Sequence, residues 1–200
     1  MKIKRKTILN VLLIALVLSF FVTPLGEFSK ELLNKWFATS PTIISPDKQG
    51  KIANYDWRVK DPEWNFFNFE KSKGKVVFIS FWASWHLPSR AQMDDIQKLY
   101  DRYKGQVDFY IITDEERALP EEFMARKEYT FPITYQIVGE PSPIKILKPP
   151  GCYLLDKRGN IVVHQNAISD WDNSAVFDLI NTLLAEKEGH PPTYRISGNK

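Results

Sequence analysis

Thiol chemistry is almost missing from this 200-residue chain: Cys152 is its one cysteine, so no intramolecular disulfide can form. Histidine is nearly as scarce. His86, His164 and His190 are scattered and, beside a single cysteine, make no set with metal-ligand spacing, so neither a metal nor a cofactor is expected. An excess of one charge is missing too. Four of the 27 basic residues, Lys2, Lys4, Arg5 and Lys6, precede Thr7, and the rest of the chain carries slightly fewer basic than its 24 acidic residues. That near-neutral remainder has no basic face with which to neutralise phosphates, which argues against a nucleic-acid partner. Internal repeats and low-complexity tracts are absent. What remains, 44% hydrophobic and 14% aromatic, is enough for one buried core plus accessory segments.

The basic tetrad precedes a run from Ile8 to Val22 that is apolar apart from Asn10 and Ser19. A secretory signal carries an apolar stretch of about 7–15 residues and a membrane span needs about 20, so length leaves both open. Val22-Thr23-Pro24-Leu25-Gly26 offers no small-x-small cleavage site, and no cysteine follows that could be lipidated. Residues 1–26 are therefore expected to be an uncleaved signal anchor, a single-pass transmembrane helix. The positive-inside rule puts the amino terminus in the cytoplasm and the remainder outside, periplasmic in a bacterium with two membranes. A buried core helix explains the run but not the flanking charges. In residues 27–54, Phe28, Leu32, Leu33, Trp36 and Phe37 recur at helical spacing, giving a juxtamembrane amphipathic helix and then a linker after Ser40-Pro41. An interfacial helix and one packed on the following domain fit that pattern equally.

The globular domain is expected over residues 55–188. Tyr55 to Val59 and Asn65 to Phe69 read as strands around Asp61-Pro62, and Lys75 to Trp82 as a buried central strand. Met93, Ile96, Leu99, Tyr100 and Tyr103 then share one helix face. Val107 to Thr113 is a second buried strand, and a helix starts at Pro120 and ends near Tyr129. Phe131 to Pro150 is proline-rich and reads as extended and looping. Cys152 to Leu155 and Ile161 to His164 form a hairpin, and a last helix from about Asn173 presents Val176, Phe177, Ile180, Leu183 and Leu184. Residues 189–200 are expected to be a flexible tail. The order predicts a mixed sheet with helices on both faces.

Two stretches carry a family resemblance. The first is Gly74-Lys75-Val76-Val77-Phe78-Ile79-Ser80-Phe81-Trp82-Ala83-Ser84-Trp85 followed by His86-Leu87-Pro88-Ser89-Arg90; the second runs from Pro150-Gly151-Cys152 to Ile161-Val162. About Tyr55 to Ala185 resembles the TlpA/ResA-like thiol-disulfide oxidoreductases of the thioredoxin superfamily, which are commonly membrane-tethered. The resemblance implies an α/β thioredoxin-like fold, a central mixed β-sheet flanked by helices, and a role in cell redox homeostasis. That family has Cys-Pro-Pro-Cys where this chain has His86-Leu87-Pro88-Ser89. Its chemistry needs a thiolate at a helix start and a second thiol three residues on, so no catalytic residue is expected here. Pro150 matches the family's cis-proline. Pro149 stands where the family pairs backbone with a bound chain, and a proline there offers no N–H. The resemblance thus implies an altered binding groove of Trp85, His86, Leu87, Pro88, Ser89, Pro149 and Pro150.

Other readings stay open. His86 and Ser89 are spaced to touch at a helix start, but no orienting carboxylate or oxyanion donor can be named for a nucleophilic dyad. Cys152 is either a reactive thiol near the groove or a small buried residue. Trp85 is the better ligand contact and Trp82 the better packing residue. Asp114, Glu115, Glu116, Glu121 and Glu122 are acidic enough to suggest a cation site, yet a solvated loop and helix start explain them. The expected function is a non-catalytic module that binds a protein client or an envelope partner. The alternatives are redoxin-type exchange through Cys152 with a partner thiol, and a structural spacer.

Overall fold

The computed structural model describes residues 5–22, 26, 29, 33, 36 and 38–186. Helix α1 (Arg5–Val22) opens the chain, and Leu9, Leu12, Ile14, Leu16 and Leu18 on it are all more than half exposed. Among the described residues no helix is long and apolar enough to cross a membrane, so the spanning helix expected in residues 1–26 is not found there. The amphipathic segment falls mostly outside the described residues, as does the tail at 189–200; Leu33 and Trp36 are helical and exposed.

Seven strands form one mixed sheet in the order β2-β1-β5-β4-β3-β6-β7. These are β1 (Arg58–Lys60), β2 (Phe66–Asn68), β3 (Val76–Phe81), β4 (Val107–Thr113), β5 (Ile133–Tyr135), β6 (Gly151–Leu155) and β7 (Ile161–Gln165). β3, β4 and β5 run parallel, β6 is antiparallel to β3 and β7 antiparallel to β6, with Ser80 opposite Cys152 and Cys152 opposite Gln165. The central strand β3 is buried at every position because its Val, Phe and Ile side chains are covered on both faces. Strand β5 was hidden in the stretch read as looping: it is three residues long and follows Pro132.

The three domain helices are α2 (Leu87–Tyr103), α3 (Ala118–Lys127) and α4 (Ser174–Ala185). α3 starts two residues before the proline taken as its first residue. Proline costs nothing there, since the first four N–H groups of a helix have no intrahelical acceptor. All three helices pack on one sheet face: Met93, Ile96 and Leu99 of α2, Phe123 of α3 and Ile180 and Leu183 of α4 join Val76 and Phe78 in a single apolar cluster. The opposite face, with Val77, Ile79, Phe81 and Tyr153, is closed by Ile52, Trp57, Phe69, Ile144 and Leu147, none of them in an α-helix. This corrects the expectation of helices on both faces. Irregular segments that bury aromatic and branched side chains do the work of a helix layer.

The stretch read as a linker is also docked. Thr39 bridges Ser169, Ile43 bridges Val163 and Lys51 bridges Asn160, with Ile44 N–H donating to Val162 C=O at 2.8 Å and Ile161 N–H to Gly50 C=O at 2.7 Å. Residues 39–52 thus descend along β7 and cover an edge that would otherwise present unpaired backbone groups.

Candidate binding groove

The groove lies where β3 ends and β6 begins. After β3 the chain keeps one further tie, Trp82 N–H to Ile112 C=O at 2.9 Å, and then turns, with His86 N–H donating to Ala83 C=O at 3.1 Å. Glu115 holds that turn. Its carboxylate accepts from Ser84 N–H at 2.6 Å, Ser84 Oγ at 2.7 Å and Thr113 Oγ1 at 3.1 Å, so it clamps the end of β4 to the loop before α2. Sequence reasoning placed Glu115 in a solvated acidic patch. Its clamp was not readable because the partners Ser84 and Thr113 meet only through the parallel β3–β4 pairing.

His86 caps α2 with an extended backbone, and its C=O accepts from Arg90 N–H at 3.1 Å. Pro88, at the second helical position, sits where no intrahelical bond is needed. His86 Nδ1 and Ser89 Oγ are 3.0 Å apart, a hydrogen bond whose donor depends on the imidazole tautomer. The two positions that would hold thiols in the resembling family therefore bond to each other. Ser89 is completely buried, which denies a substrate access to its oxygen, and among the described residues no carboxylate hydrogen-bonds the imidazole. Burial lowers the His86 pKa from its ordinary value, favouring the neutral ring beside the positive end of the helix. These facts oppose the nucleophilic reading of the pair.

Trp85 is 69% exposed and meets the His86 ring edge-on, whereas Trp82 is 1% exposed and packs against Phe123. Leu87 and Pro88 are half-buried beside them. On the other wall the Pro149–Pro150 peptide bond is cis; Pro149 is half-buried and Pro150 buried. Gly151 follows because only glycine fits: a Cβ there would stand 2.4 Å from Leu147 Cβ, inside the loop that leads to the cis bond.

Cys152 lies one residue further along β6, fully buried. Its Sγ donates to Ser80 Oγ at 3.4 Å and accepts from Gln92 Nε2 at 3.7 Å, and burial pushes the thiol up to about 12. Gln92, which the sequence did not single out, also accepts from Ser169 N–H at 3.4 Å and so ties α2 to the loop after β7. The structure thus brings Trp85, His86, Ser89 and Pro150 to one end of the sheet and sets the thiol beneath them, out of reach. A cavity of about 200 Å³ lined by Phe67, Tyr100, Lys104 and Pro132 opens at the other end, away from the groove.

Comparison with known proteins agrees with this geometry. The AhpC/TSA family model matches residues 49–164. The chain is 27% identical over 165 residues to the thiol-disulfide oxidoreductase ResA of Bacillus cereus, covering 80% of this chain and 87% of that protein. It is 27% identical over 110 residues to the thioredoxin-like protein YneN of Bacillus subtilis, covering 53% of this chain and 65% of that one. Among solved structures, a putative protein disulfide isomerase from Bacteroides thetaiotaomicron superposes with a TM-score of 0.58 at 21% identity, over 74% of this chain and 96% of that one. A putative thiol:disulfide interchange protein DsbE from Chlorobium tepidum gives 0.57 at 21% identity, over 70% of this chain and 100% of that one. These structural likenesses establish the thioredoxin-like fold. The chain belongs to the AhpC/TSA family of the thioredoxin superfamily, among its TlpA/ResA-like members, and its single cysteine, Cys152, lies outside the His86-Leu87-Pro88-Ser89 motif.

Proposed function

We propose that this protein is a membrane-anchored, extracytoplasmic, non-catalytic module that holds a protein client or an envelope partner in the groove between the start of α2 and the cis-proline loop. One observation carries the reading: the groove keeps its exposed tryptophan and its cis-proline, while the positions that would carry sulfur hold a His86–Ser89 hydrogen bond. A site that lost its chemistry and kept a ligand-facing surface fits binding better than catalysis. The anchor reading rests on the basic tetrad and on the exposed apolar circumference of α1, which the described residues leave uncovered. It puts the amino terminus in the cytoplasm.

The test has two arms. A disulfide-reductase assay on the full chain should show no turnover above buffer; turnover comparable with a Cys-x-x-Cys protein ends the proposal. A photocrosslinker at Trp85 should capture a discrete partner from native membranes, and one at Trp36 should not capture the same species. The alternative, redoxin-type exchange through Cys152 with a partner thiol, is opposed by the burial of that thiol and its raised pKa.

A further inference from the structure

The described part of the domain, residues 38–186, has two poles. At one, β3, β4 and β5 end and β6 begins; at the other, the parallel strands begin. The groove belongs to the first. The chain arriving from α1 enters at that same pole, because Thr39 bridges Ser169, whose N–H bonds Gln92 in the second turn of α2. Only residues 23–38 separate α1 from Thr39. Fully stretched they reach about 60 Å, and positions 26, 29, 33 and 36 among them are helical, where each residue advances about 1.5 Å instead. A domain of this size is about 40 Å across, so presenting the far pole to the membrane would take most of that reach.

A second observation points the same way. In residues 38–186 the exposed large apolar side chains are Trp64, Phe66, Trp85, Leu119, Val138 and Ile146. Trp64 and Phe66 belong to the β1–β2 hairpin. The other four come from three segments joining strand ends at the groove pole: Trp85 between β3 and α2, Leu119 in the first turn of α3, and Val138 and Ile146 between β5 and β6, in the segment whose Ile144 and Leu147 also cover the second sheet face. Lys145 and Lys148 are exposed on either side of Ile146, whereas Arg117, just before Leu119, is paired with Glu121 and has exposed Asp114 and Glu116 close by in the chain. Isolated apolar tips on segments that surround the groove suit an interfacial surface, into which such side chains dip while their polar neighbours stay in water.

We infer that the groove pole rests on the lipid surface of the membrane that holds α1, with Leu119, Val138 and Ile146 as its contacts. The inference depends on the anchor reading above but not on any client. To test it, the full chain is reconstituted into protein-free vesicles of phosphatidylcholine and phosphatidylglycerol carrying rhodamine headgroups. A donor dye is placed on Asn166→Cys, exposed just after β7 at the groove pole, or on Lys73→Cys, exposed just before β3 at the far pole; native Cys152 is buried and stays unlabelled. Energy transfer from position 166 should be at least twice that from position 73, and Leu119→Ser, Val138→Ser and Ile146→Ser together should reduce the difference. Equal or reversed transfer overturns the inference, as does a difference the triple variant leaves unchanged. A difference that appears only when native membrane proteins are added overturns it as well, in favour of a protein partner. A chain that fails to float with the vesicles removes the anchor reading and this inference together, whereas one that floats with equal transfer removes only this one.

Discussion

The start of α2 and the start of β6 divide between them what a thiol oxidoreductase needs in one place. At His86 the chain has the exposed rim, the helix terminus and the facing cis-proline, but no sulfur. At Cys152 it has sulfur, but the side chain is fully enclosed by Ser80, Gln92 and the sheet. Reactivity is a property of the surroundings as much as of the atom: a dipole and open solvent favour a thiolate, and burial without a charge partner opposes it.

The sharpest way to break the contrast is to return the sulfur to the position that has the geometry. His86→Cys with Ser89→Cys should raise disulfide-reductase turnover from nil to measurable, the largest effect expected, with an insulin-reduction assay as the check. No gain would mean that Pro149 or the Glu115-clamped loop has also closed the site to substrate. Next in size is the inertness of Cys152. With its pKa at about 12, its thiolate fraction at pH 8 is about 10³-fold below that of a free thiol. Alkylation by iodoacetamide should therefore be slower by at least that factor in the native protein than in urea, and equal rates would erase the contrast. The same shift has a stability consequence. The unfolded thiol loses its proton first, so stability should fall as pH rises from about 9 towards the folded value of about 12, and Cys152→Ala should flatten that slope in urea titrations.

Smaller effects sharpen the groove side. Glu115→Ala removes charge-assisted bonds to Ser84 and should cost about 2 kcal/mol of unfolding free energy, read from the denaturant midpoint, and loosen the Trp85 loop. Smallest is the response of His86. Its folded pKa is lowered, so the unfolded state takes up a proton first as pH falls below about 6.5, and a small stability contribution is lost there. His86→Gln should remove that dip, and a side-chain NMR titration with a midpoint at or above 6.5 would contradict the assignment.

How much of this was readable in advance follows from what kind of signal each feature leaves. β3 and the β6–β7 hairpin were legible because continuous apolar runs and a glycine-bearing turn are local. The cis position at Pro150 and the groove residues came through the family motif rather than through periodicity. Residues 39–52 looked like a linker because they reach β7 mainly through backbone bonds, which impose no side-chain pattern. The helix-free cover of the second face is not legible because Trp57, Phe69, Ile144 and Leu147 are scattered in sequence and converge only once the sheet has formed. Glu115 and Gln92 were missed for the same reason: a polar side chain shows its task only when its partners arrive from elsewhere.

The course of residues 39–52 has a mechanical consequence. A pull on the amino-terminal segment enters at Thr39 and runs lengthwise along β7, so the bonds at Ile44, Gly50 and Ile52 are loaded in shear and share the force. An attachment peeled from one end would give way bond by bond. This one should carry a load between the domain and the segment that precedes it without first unravelling the fold.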